Sequence, residues 1–237
     1  MTFSELGINE YIIQALQNNK ISIPTDIQKQ AIPHILNKKQ DLVAVAQTGT
    51  GKTAAFCLPI LQSIDPMLPK IQALVLVPTR ELGQQVAREF FLFSKYLPRV
   101  FAESVYGGAP IDEQIQNLKR ATHVVVATPG RLIDLLDRKA IDLSSIKTLV
   151  LDEADEMLSM GFRKDLDSIL KHTAGKRHTW LFSATMPAGI KAIISSYMSS
   201  KAIRFEVNRN EIVNKDIEHK FLICSRLEKP EALFQFF

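Results

Sequence analysis

The chain has 237 residues, a mass of 26.6 kDa, 46% hydrophobic and 23% charged residues, and a net charge of +4. This length exceeds one average domain and falls short of two, and the composition excludes a disordered, collagen-like or low-complexity chain. The slightly basic balance permits a nucleic-acid partner without requiring one.

The cysteines and the apolar segments exclude further classes of protein. Cys57 and Cys224 are too few for a disulfide scaffold or a zinc site. Every apolar run is far shorter than the ~20 residues of a membrane span. The amino terminus has neither the basic nor the apolar region of a secretory signal. We therefore expect a soluble, cytoplasmic protein without a membrane partner.

Short β-branched segments alternate with amphipathic helical segments along most of the chain. Strands are expected at residues 41–46, 73–77, 100–106, 123–127, 148–151, 179–182 and 203–207. Several are continuous apolar runs, which is typical of strands covered on both faces. The order predicts an α/β fold, a mostly parallel β-sheet with helices on both faces.

Helices are expected before the first strand and between the strands. Their predicted bounds are residues 4–17, 25–36, 54–64, 79–96 and 129–139. After residue 207 the pattern changes. Residues 208–216 are polar and are interpreted as a linker, residues 217–224 as a strand and residues 230–237 as the start of a helix. The chain is thus expected to contain one domain over residues 1–207 and the beginning of a second at 217–237.

A phosphate-binding loop is predicted between the first strand and the helix at 54–64. Its residues are Gln47, Thr48, Gly49, Thr50, Gly51, Lys52 and Thr53. Glycines let backbone N–H groups close around phosphate oxygens, and the helix N-terminus adds partial positive charge. Lys52 is expected to reach the β- and γ-phosphates and the Thr53 hydroxyl to bind Mg²⁺. Ala46 occupies the first glycine of the generic pattern, and the alternative is a purely structural glycine turn.

Three carboxylates follow the predicted strand 148–151. They are Asp152, Glu153 and Asp155, with Ala154 between the last two. Ionised carboxylates just beyond a buried strand need a partner. In a phosphoryl-transfer site Asp152 would hold Mg²⁺ and Glu153 would orient and deprotonate a water. The alternative is an acid-rich helix N-terminus, favoured by the helix dipole. The position downstream of a phosphate loop favours the catalytic interpretation.

These segments together resemble the DEAD-box ATP-dependent RNA helicases. Residues 152–155 are the tetrapeptide that names the family, and residues 46–53 match its form of the loop, including the leading alanine. Residues 24–28, with Phe3 upstream, resemble its Q motif, which lies within residues 1–40 here and recognises adenine. The resemblance covers essentially the whole chain. It implies a RecA-like P-loop NTPase fold, ATP and Mg²⁺ as ligands, RNA as partner, and a second RecA-like domain of the same protein.

The resemblance also implies roles for individual residues. Nucleotide contacts are implied for Phe3, Ile21, Thr25 and Gln28, in addition to the loop. Sequence-nonspecific contacts with the RNA backbone are implied for Pro78, Thr79, Arg80, Gly107, Gly108, Thr128, Pro129, Gly130 and Arg131. Coupling between the ATP and RNA sites is implied for Asp155, Ser183 and Thr185.

The residues alone are also compatible with purely structural roles. Arg80 and Arg131 each begin a helix and would, in isolation, be solvated arginines. Gly107 and Gly108 fit a tight turn. Thr128 fits a helix N-cap followed by proline, a role that is compatible with RNA contact. The hydroxyls of residues 183 and 185 fit capping of a following helix as well as a hydrogen bond to the last acidic residue.

Three positions depart from the family's pattern. Lys20 stands where glycine is usual, Ile21 where an aromatic residue is usual, and Asp26 where proline is common. The family's second domain, with its arginine-rich motif, is expected to be missing from this chain. Two other functions remain open at this point: a P-loop ATPase that acts on DNA, and a nucleotide-gated RNA clamp.

Overall fold

The computed structural model describes residues 1–38, 40–173, 175, 177–207, 222–226 and 228–234. The chain divides into two compact units, residues 1–207 and 208–237. The predicted linker at 208–216 and the first part of the predicted strand, 217–221, lie outside the described residues. Residues 222–224, the described part of the predicted strand, have no regular secondary structure, so the prediction is wrong for them. Helix Lys229–Phe234 covers most of the helix predicted at 230–237.

The described part of the first unit alternates strands and helices. The strands are β1 (Leu42–Val45), β2 (Ala73–Leu76), β3 (Ala102–Val105), β4 (Val124–Ala127), β5 (Thr148–Leu151), β6 (His178–Ser183) and β7 (Ile203–Glu206). The helices are α1 (Glu10–Asn18), α2 (Asp26–Lys38), α3 (Lys52–Ser63), α4 (Arg80–Phe93), α5 (Ile111–Leu118), α6 (Pro129–Asp137), α7 (Ala154–Ser159), α8 (Arg163–His172) and α9 (Ala188–Tyr197).

The seven described strands form one parallel sheet in the order β3-β4-β2-β5-β6-β1-β7. Alternate residues of each inner strand face two separate apolar cores. In β5, for example, Val150 joins the core under α1–α4, whereas Leu149 and Leu151 join the core under α6–α9. Burial on both faces explains the continuous apolar sequences of these strands. The predicted α/β fold is confirmed.

Helix α1 begins later than the sequence pattern predicts. The predicted helix spans residues 4–17, but α1 starts at Glu10. The side chain of Asn9 accepts a hydrogen bond from the Ile12 N–H at 3.0 Å, which caps the helix. Gly7, at φ +88°, has already turned the chain out of the preceding segment. None of the helices in the described part of the chain is long and apolar enough to cross a membrane.

Lys20 ends α1 in the left-handed backbone region, at φ +60°. The N–H of Ile21 donates to the Leu16 carbonyl and the N–H of Lys20 to the Gln17 carbonyl, each at 2.9 Å. These two bonds define a Schellman motif, whose left-handed position is usually glycine. The motif places Ile21 at the end of α1, where it contributes to the wall of the cavity described below.

Lys20→Gly is expected to stabilise the fold by about 1 kcal/mol, because glycine removes the Cβ strain of the left-handed conformation. Urea unfolding of the wild type and the variant measures this difference. Lys20→Ala is the matched control: it removes the same charge but keeps the Cβ, so it is expected to bring no comparable gain. Equal stabilisation by both substitutions would contradict the backbone explanation.

Candidate functional site

The loops that follow the strands meet at one edge of the sheet. Because all the described strands run parallel, their carboxyl ends share that edge, which is where ligands bind in open α/β folds. The phosphate loop follows β1, the acidic residues follow β5, and residues 183–185 end or follow β6. The segments with predicted RNA contacts follow β2, β3 and β4. The fold therefore brings the predicted segments to a common edge.

A cavity of about 590 Å³ lies beside the phosphate loop. One wall is polar and includes Thr48, Gly49, Gly51, Lys52 and Thr53. The acidic residues Asp152 and Glu153 and the amide of Gln28 also line it. The remaining wall comes from Asn19, Ile21 and one face of α4: Leu82, Gln85, Glu89, Leu92 and Phe93. A cavity with a phosphate-binding end and apolar walls suits a nucleotide.

The loop presents an open helix N-terminus to the cavity. Gly49 and Gly51 have φ angles of +78° and +88°, which only glycine adopts without strain. Gly51 is the N-cap of α3 and supplies no capping side chain. Thr50 donates its hydroxyl to the Gln47 carbonyl at 2.7 Å and closes the loop on itself. The first N–H groups of α3 are thus left without a capping side chain, which is the arrangement that binds a phosphate.

Ala46 explains why the first glycine of the generic loop pattern is dispensable here. Its N–H donates to the Ser183 carbonyl at 3.0 Å, so residue 46 continues the pairing of β1 with β6. Its side chain is buried, with 1% of its surface exposed. A residue in extended, strand-like pairing needs no positive φ, and alanine fills the space.

Gln28 and Thr25 lie directly against the phosphate loop. The Gln28 side chain donates to the Gly51 carbonyl and accepts from the Thr25 N–H, both at 3.0 Å. A Cβ at Gly51 would stand 2.4 Å from Gln28 Nε2 and 2.9 Å from Thr25 Oγ1. Glycine is therefore required for this contact. The amide of a glutamine has two donors and two acceptor lone pairs, so one of each remains for a ligand.

Phe3 does not line the cavity. Its side chain is 3% exposed and belongs to the apolar core with Leu6 and Ile8. The nucleotide contact implied for Phe3 stays a prediction. Ile21, by contrast, is only partly buried and reaches the cavity wall.

Lys52 and Glu153 form an ion pair across the cavity. Lys52 Nζ lies 2.8 Å from Glu153 Oε1, and the side chains are 5% and 17% exposed. Glu153 itself has φ +47°, a left-handed conformation that is strained for a residue with a Cβ. Such strain is concentrated at functional sites. The cation predicted to bind phosphate and the candidate catalytic carboxylate are therefore paired with each other.

Asp152 is almost fully buried, with 2% of its surface exposed. Burial raises its pKa to about 7; Glu153 and Glu89 also raise it, whereas Lys52 and the hydrogen bond from the Glu153 N–H lower it. Thr53 lines the same cavity, and a hydroxyl with a carboxylate is an oxygen donor set that suits Mg²⁺. No group of three His, Cys, Asp or Glu side chains in the described chain is arranged for a metal. The donors present fit a cation that takes its other ligands from phosphate and water.

Asp155 connects the acidic segment to the end of β6. Thr185 donates both its N–H and its hydroxyl to Asp155 Oδ2, at 2.9 and 2.6 Å. Ser183 donates its hydroxyl to the Thr185 carbonyl at 2.7 Å and so braces the same segment. Burial raises the pKa of Asp155, but the hydrogen bonds, led by that of the Thr185 hydroxyl, bring it below its usual value. The carboxylate is thus held in its charged form.

The segments with predicted RNA contacts form a surface outside the cavity. The Arg80 guanidinium is exposed and lies 4.9 Å from the centre of the Tyr106 ring. Gln84 donates to the Tyr106 hydroxyl at 2.7 Å. Gly107 and Gly108 follow and are exposed, with no atom within 4 Å of a Cβ placed on either. A ligand backbone can therefore approach this turn closely.

The other predicted contact residues have mixed surroundings. Pro78 is buried, and Thr79 caps α4 by accepting from the Leu82 N–H at 3.3 Å. Thr128 is the N-cap of α6 but its hydroxyl makes no capping bond, and Pro129 follows at the first helical position. Gly130 has no atom within 4 Å of a Cβ placed on it.

Arg131 is nearly buried and forms hydrogen bonds within the protein, and the phosphate contact predicted for it stays a prediction. Its side chain is 9% exposed. Nη1 donates to Gln114 Oε1 at 2.8 Å and Nη2 to the Ala109 carbonyl at 3.0 Å. These bonds link the first turn of α6 to α5 and to the turn that follows β3.

Sequence reasoning missed three residues of this edge: Tyr106, Gln114 and Glu89. Tyr106 directly precedes the two glycines at a strand end, and that position is a usable signal. Gln114 is buried on α5, where Asp112, Glu113 and Gln116 are also polar, so residue type does not separate it from solvent-facing residues. Burial raises the pKa of Glu89, which lines the cavity one helical turn from Gln85.

A family comparison matches residues 25–193 to the DEAD/DEAH box helicases. The chain is 50% identical over 202 residues to the RNA helicase CrhR of Synechocystis, which covers 85% of this chain and 40% of the relative. It is 43% identical over 235 residues to the ATP-dependent RNA helicase DeaD of Escherichia coli, covering 99% of this chain and 37% of the relative. The chain thus spans well under half the length of these relatives.

Two solved structures share the fold. A DEAD box protein from Methanococcus jannaschii matches with a TM-score of 0.83 and 38% identity, over 100% of this chain and 63% of that one. A hypothetical ATP-dependent RNA helicase from Sulfolobus tokodaii matches with a TM-score of 0.77 and 38% identity, over 84% of this chain and 57% of that one. Both matches are similar in sequence as well as in fold.

Proposed function

Because the chain belongs to the DEAD/DEAH box helicase family, we propose that it is the ATP-binding, N-terminal RecA-like part of an ATP-dependent RNA helicase. Residues 1–207 form that domain, residues 208–216 are a linker, and residues 217–237 begin a second RecA-like domain. The relatives are named RNA helicases and are longer than this chain, which supports both parts of the proposal. A cytoplasmic location is part of the same proposal.

One observation carries the nucleotide part: a single cavity is lined by the loop, the buried acid and the glutamine amide. Lys52, Thr53, Asp152, Glu153 and Gln28 come from separate segments of the chain and meet there. In the proposal, Lys52 and the first N–H groups of α3 bind the phosphates. The free donor and acceptor of the Gln28 amide pair with the N6–N7 edge of adenine.

Thr53 and Asp152 would hold Mg²⁺, the latter through water. When bound, the ion neutralises charge on the β- and γ-phosphates. Burial disfavours an uncompensated charge on Asp152, so a divalent cation is a fitting partner for it. Glu153, once released from Lys52, is placed to orient the attacking water and accept its proton.

The RNA part of the proposal concerns the surface outside the cavity. Phosphates and sugars of the RNA would be contacted by exposed Arg80, by the open turn at Gly107 and Gly108, and by the hydroxyl of Thr128, which makes no capping bond. Backbone contacts of this kind carry no sequence information, so binding is proposed to be sequence-nonspecific. Asp155, held by Thr185, would connect changes in the cavity to the end of β6.

Adenine selectivity tests the nucleotide part directly. Calorimetric titration of the chain with Mg·ADP and Mg·GDP is expected to show at least a tenfold preference for ADP, because guanine cannot reproduce the amide pairing. Gln28→Ala is expected to reduce that preference. It is also expected to cost about 1–3 kcal/mol of stability, since it leaves the Gly51 carbonyl and Thr25 N–H without their partner.

Gln85→Ala is the matched control, because Gln85 lines the same cavity from α4 but is exposed. It is expected to leave the ADP-to-GDP ratio unchanged. Comparable affinities for the two nucleotides in the wild type would overturn the assignment of Gln28 to adenine.

A further inference from the structure

The turn at residues 106–109 is held by very few contacts of its own. It follows β3, which lies at the edge of the sheet and has only β4 beside it. Gly108 has φ +78°, and neither Gly107 nor Gly108 has an atom within 4 Å of a Cβ placed on it. A glycine pair at a sheet edge has many accessible conformations. A defined shape therefore has to be imposed by neighbouring side chains.

The side chains of Gln114 and Arg131 hold the backbone of this turn by hydrogen bonds. The Gln114 amide accepts from the Tyr106 N–H at 3.3 Å and donates to the Tyr106 carbonyl at 3.1 Å. Arg131 donates to the Ala109 carbonyl at 3.0 Å. The backbone is thus tied on both sides of the glycine pair. The bond between Arg131 Nη1 and Gln114 Oε1, at 2.8 Å, joins the two ties into one unit.

Both side chains are nearly buried. Gln114 is 7% exposed and the Arg131 side chain 9%. If Arg131 turned toward a phosphate, the Ala109 carbonyl and the nearly buried Gln114 Oε1 would each lose a hydrogen-bond donor, which is costly. Arg80 is different: it is exposed and lies over the Tyr106 ring.

We propose that Gln114 and Arg131 are positioning residues, which hold the turn at 106–109 in the shape that receives the RNA backbone, and that Arg131 does not itself contact a phosphate. The inference rests on the proposed function, because it concerns how this edge binds RNA. It adds that the two arginines have different roles: Arg80 contacts RNA, whereas Arg131 positions the turn.

The salt dependence of RNA binding separates the two roles. Each cation that contacts a phosphate of a single strand contributes about 0.7 to the slope of log K against log salt concentration. A positioning residue changes affinity without changing that slope. Gln114 carries no charge, so its removal cannot change the number of phosphate contacts directly, yet it is expected to resemble the removal of Arg131.

The experiment uses the longer, two-domain protein with a non-hydrolysable ATP analogue and fluorescein-labelled oligouridine, titrated at several salt concentrations. Gln114→Ala and Arg131→Gln are each expected to weaken binding about tenfold with an unchanged slope. The double variant is expected to be no weaker than the weaker single one, because the residues act as a unit. Arg131→Lys keeps the charge but not the fork, and is expected not to restore affinity.

Two comparisons complete the design. Gln114→Glu keeps an acceptor for Arg131 and is expected to retain more affinity than Gln114→Ala. Arg80→Gln, the contact control, is expected to lower the slope by about 0.7. Hydrogen exchange of the peptide that contains residues 106–110, in RNA-free protein, is expected to rise in Gln114→Ala and Arg131→Gln but not in Arg80→Gln.

The outcomes distinguish this inference from the function beneath it. If the wild type binds no RNA at any salt concentration, the proposed function fails and the inference with it. If the wild type binds RNA but Arg131→Gln lowers the slope, Arg131→Lys restores affinity and exchange at 106–110 is unchanged, the inference alone is overturned.

Discussion

Lys52→Ala is expected to weaken binding of ATP and ADP by about 100-fold, equivalent to about 2.7 kcal/mol. Lys52 supplies a cation to the phosphate end of the cavity, and within the described residues that line the cavity it is the only basic side chain. Charge-assisted hydrogen bonds to phosphate are among the strongest single contacts. Calorimetry with each nucleotide measures the loss, and an unchanged circular dichroism spectrum shows that the fold persists.

Removing the charge of Glu153, the ion-pair partner of Lys52, is expected to have the opposite effect on nucleotide affinity. Glu153→Gln removes the carboxylate charge that lies 2.8 Å from Lys52 Nζ. Nucleotide binding no longer has to break that pair, so affinity is expected to be retained or to rise. ATP hydrolysis by the longer two-domain protein is expected to be lost, because the neutral amide cannot accept the proton of the attacking water.

Lys29→Ala serves as the control for loss of a lysine. Lys29 lies on α2 and pairs with Asp26 at the surface, so its removal is expected to change nucleotide affinity little. Unchanged nucleotide affinity in Lys52→Ala would contradict the phosphate-binding role. Unfolding of that variant would show instead that Lys52 is a structural residue.

Much of the fold follows from the pattern of apolar residues. The seven strands predicted within residues 1–207 each coincide with an observed one. Those buried on both faces, such as β2, β4 and β5, are continuous apolar runs. The start of α1 was wrong because the apolar pattern extends back through Leu6, whereas Asn9 and Gly7 decide where the helix begins. Local capping chemistry sets a boundary that hydrophobic periodicity does not.

The candidate site was predictable where residue type and strand end coincide. The loop after β1, the acids after β5 and the hydroxyls at the end of β6 all meet at the carboxyl edge that a parallel sheet creates. Arg131 was not predictable in the same way. From its position at a helix start, Arg131 could equally be a surface arginine. Only the structure shows that its guanidinium donates hydrogen bonds to Gln114 on α5 and to the Ala109 carbonyl.

Phe3 shows the same limit from the apolar side. A phenylalanine near a nucleotide motif is compatible with base stacking or with core packing, and the sequence does not distinguish the two. In the structure its ring is 3% exposed and lies in the core. Burial depends on where α1 and α2 pack, which is a tertiary property.

We propose that this chain supplies the ATP site of an RNA-dependent ATPase but lacks some of its catalytic groups. Arginines that stabilise the transferring phosphoryl group are worth ~10³–10⁵ in rate in other NTPases. None of the described residues lining this cavity is an arginine. Arg80 lies over Tyr106 and Arg131 beneath the turn at 106–109, outside the cavity wall. We expect the second domain to supply them.

Steady-state ATP hydrolysis with saturating RNA, measured on this chain and on the longer two-domain protein, shows which groups each part supplies. The chain alone is expected to bind nucleotide yet hydrolyse ATP ~10³–10⁵ times more slowly than the longer protein, whose rate is expected to rise with RNA. Glu153→Gln in the longer protein gives the background rate. Equal RNA-stimulated rates for the chain and the longer protein would show that the second domain supplies no catalytic group. A rate of the longer protein that does not change with RNA would show that its ATP hydrolysis is not RNA-dependent.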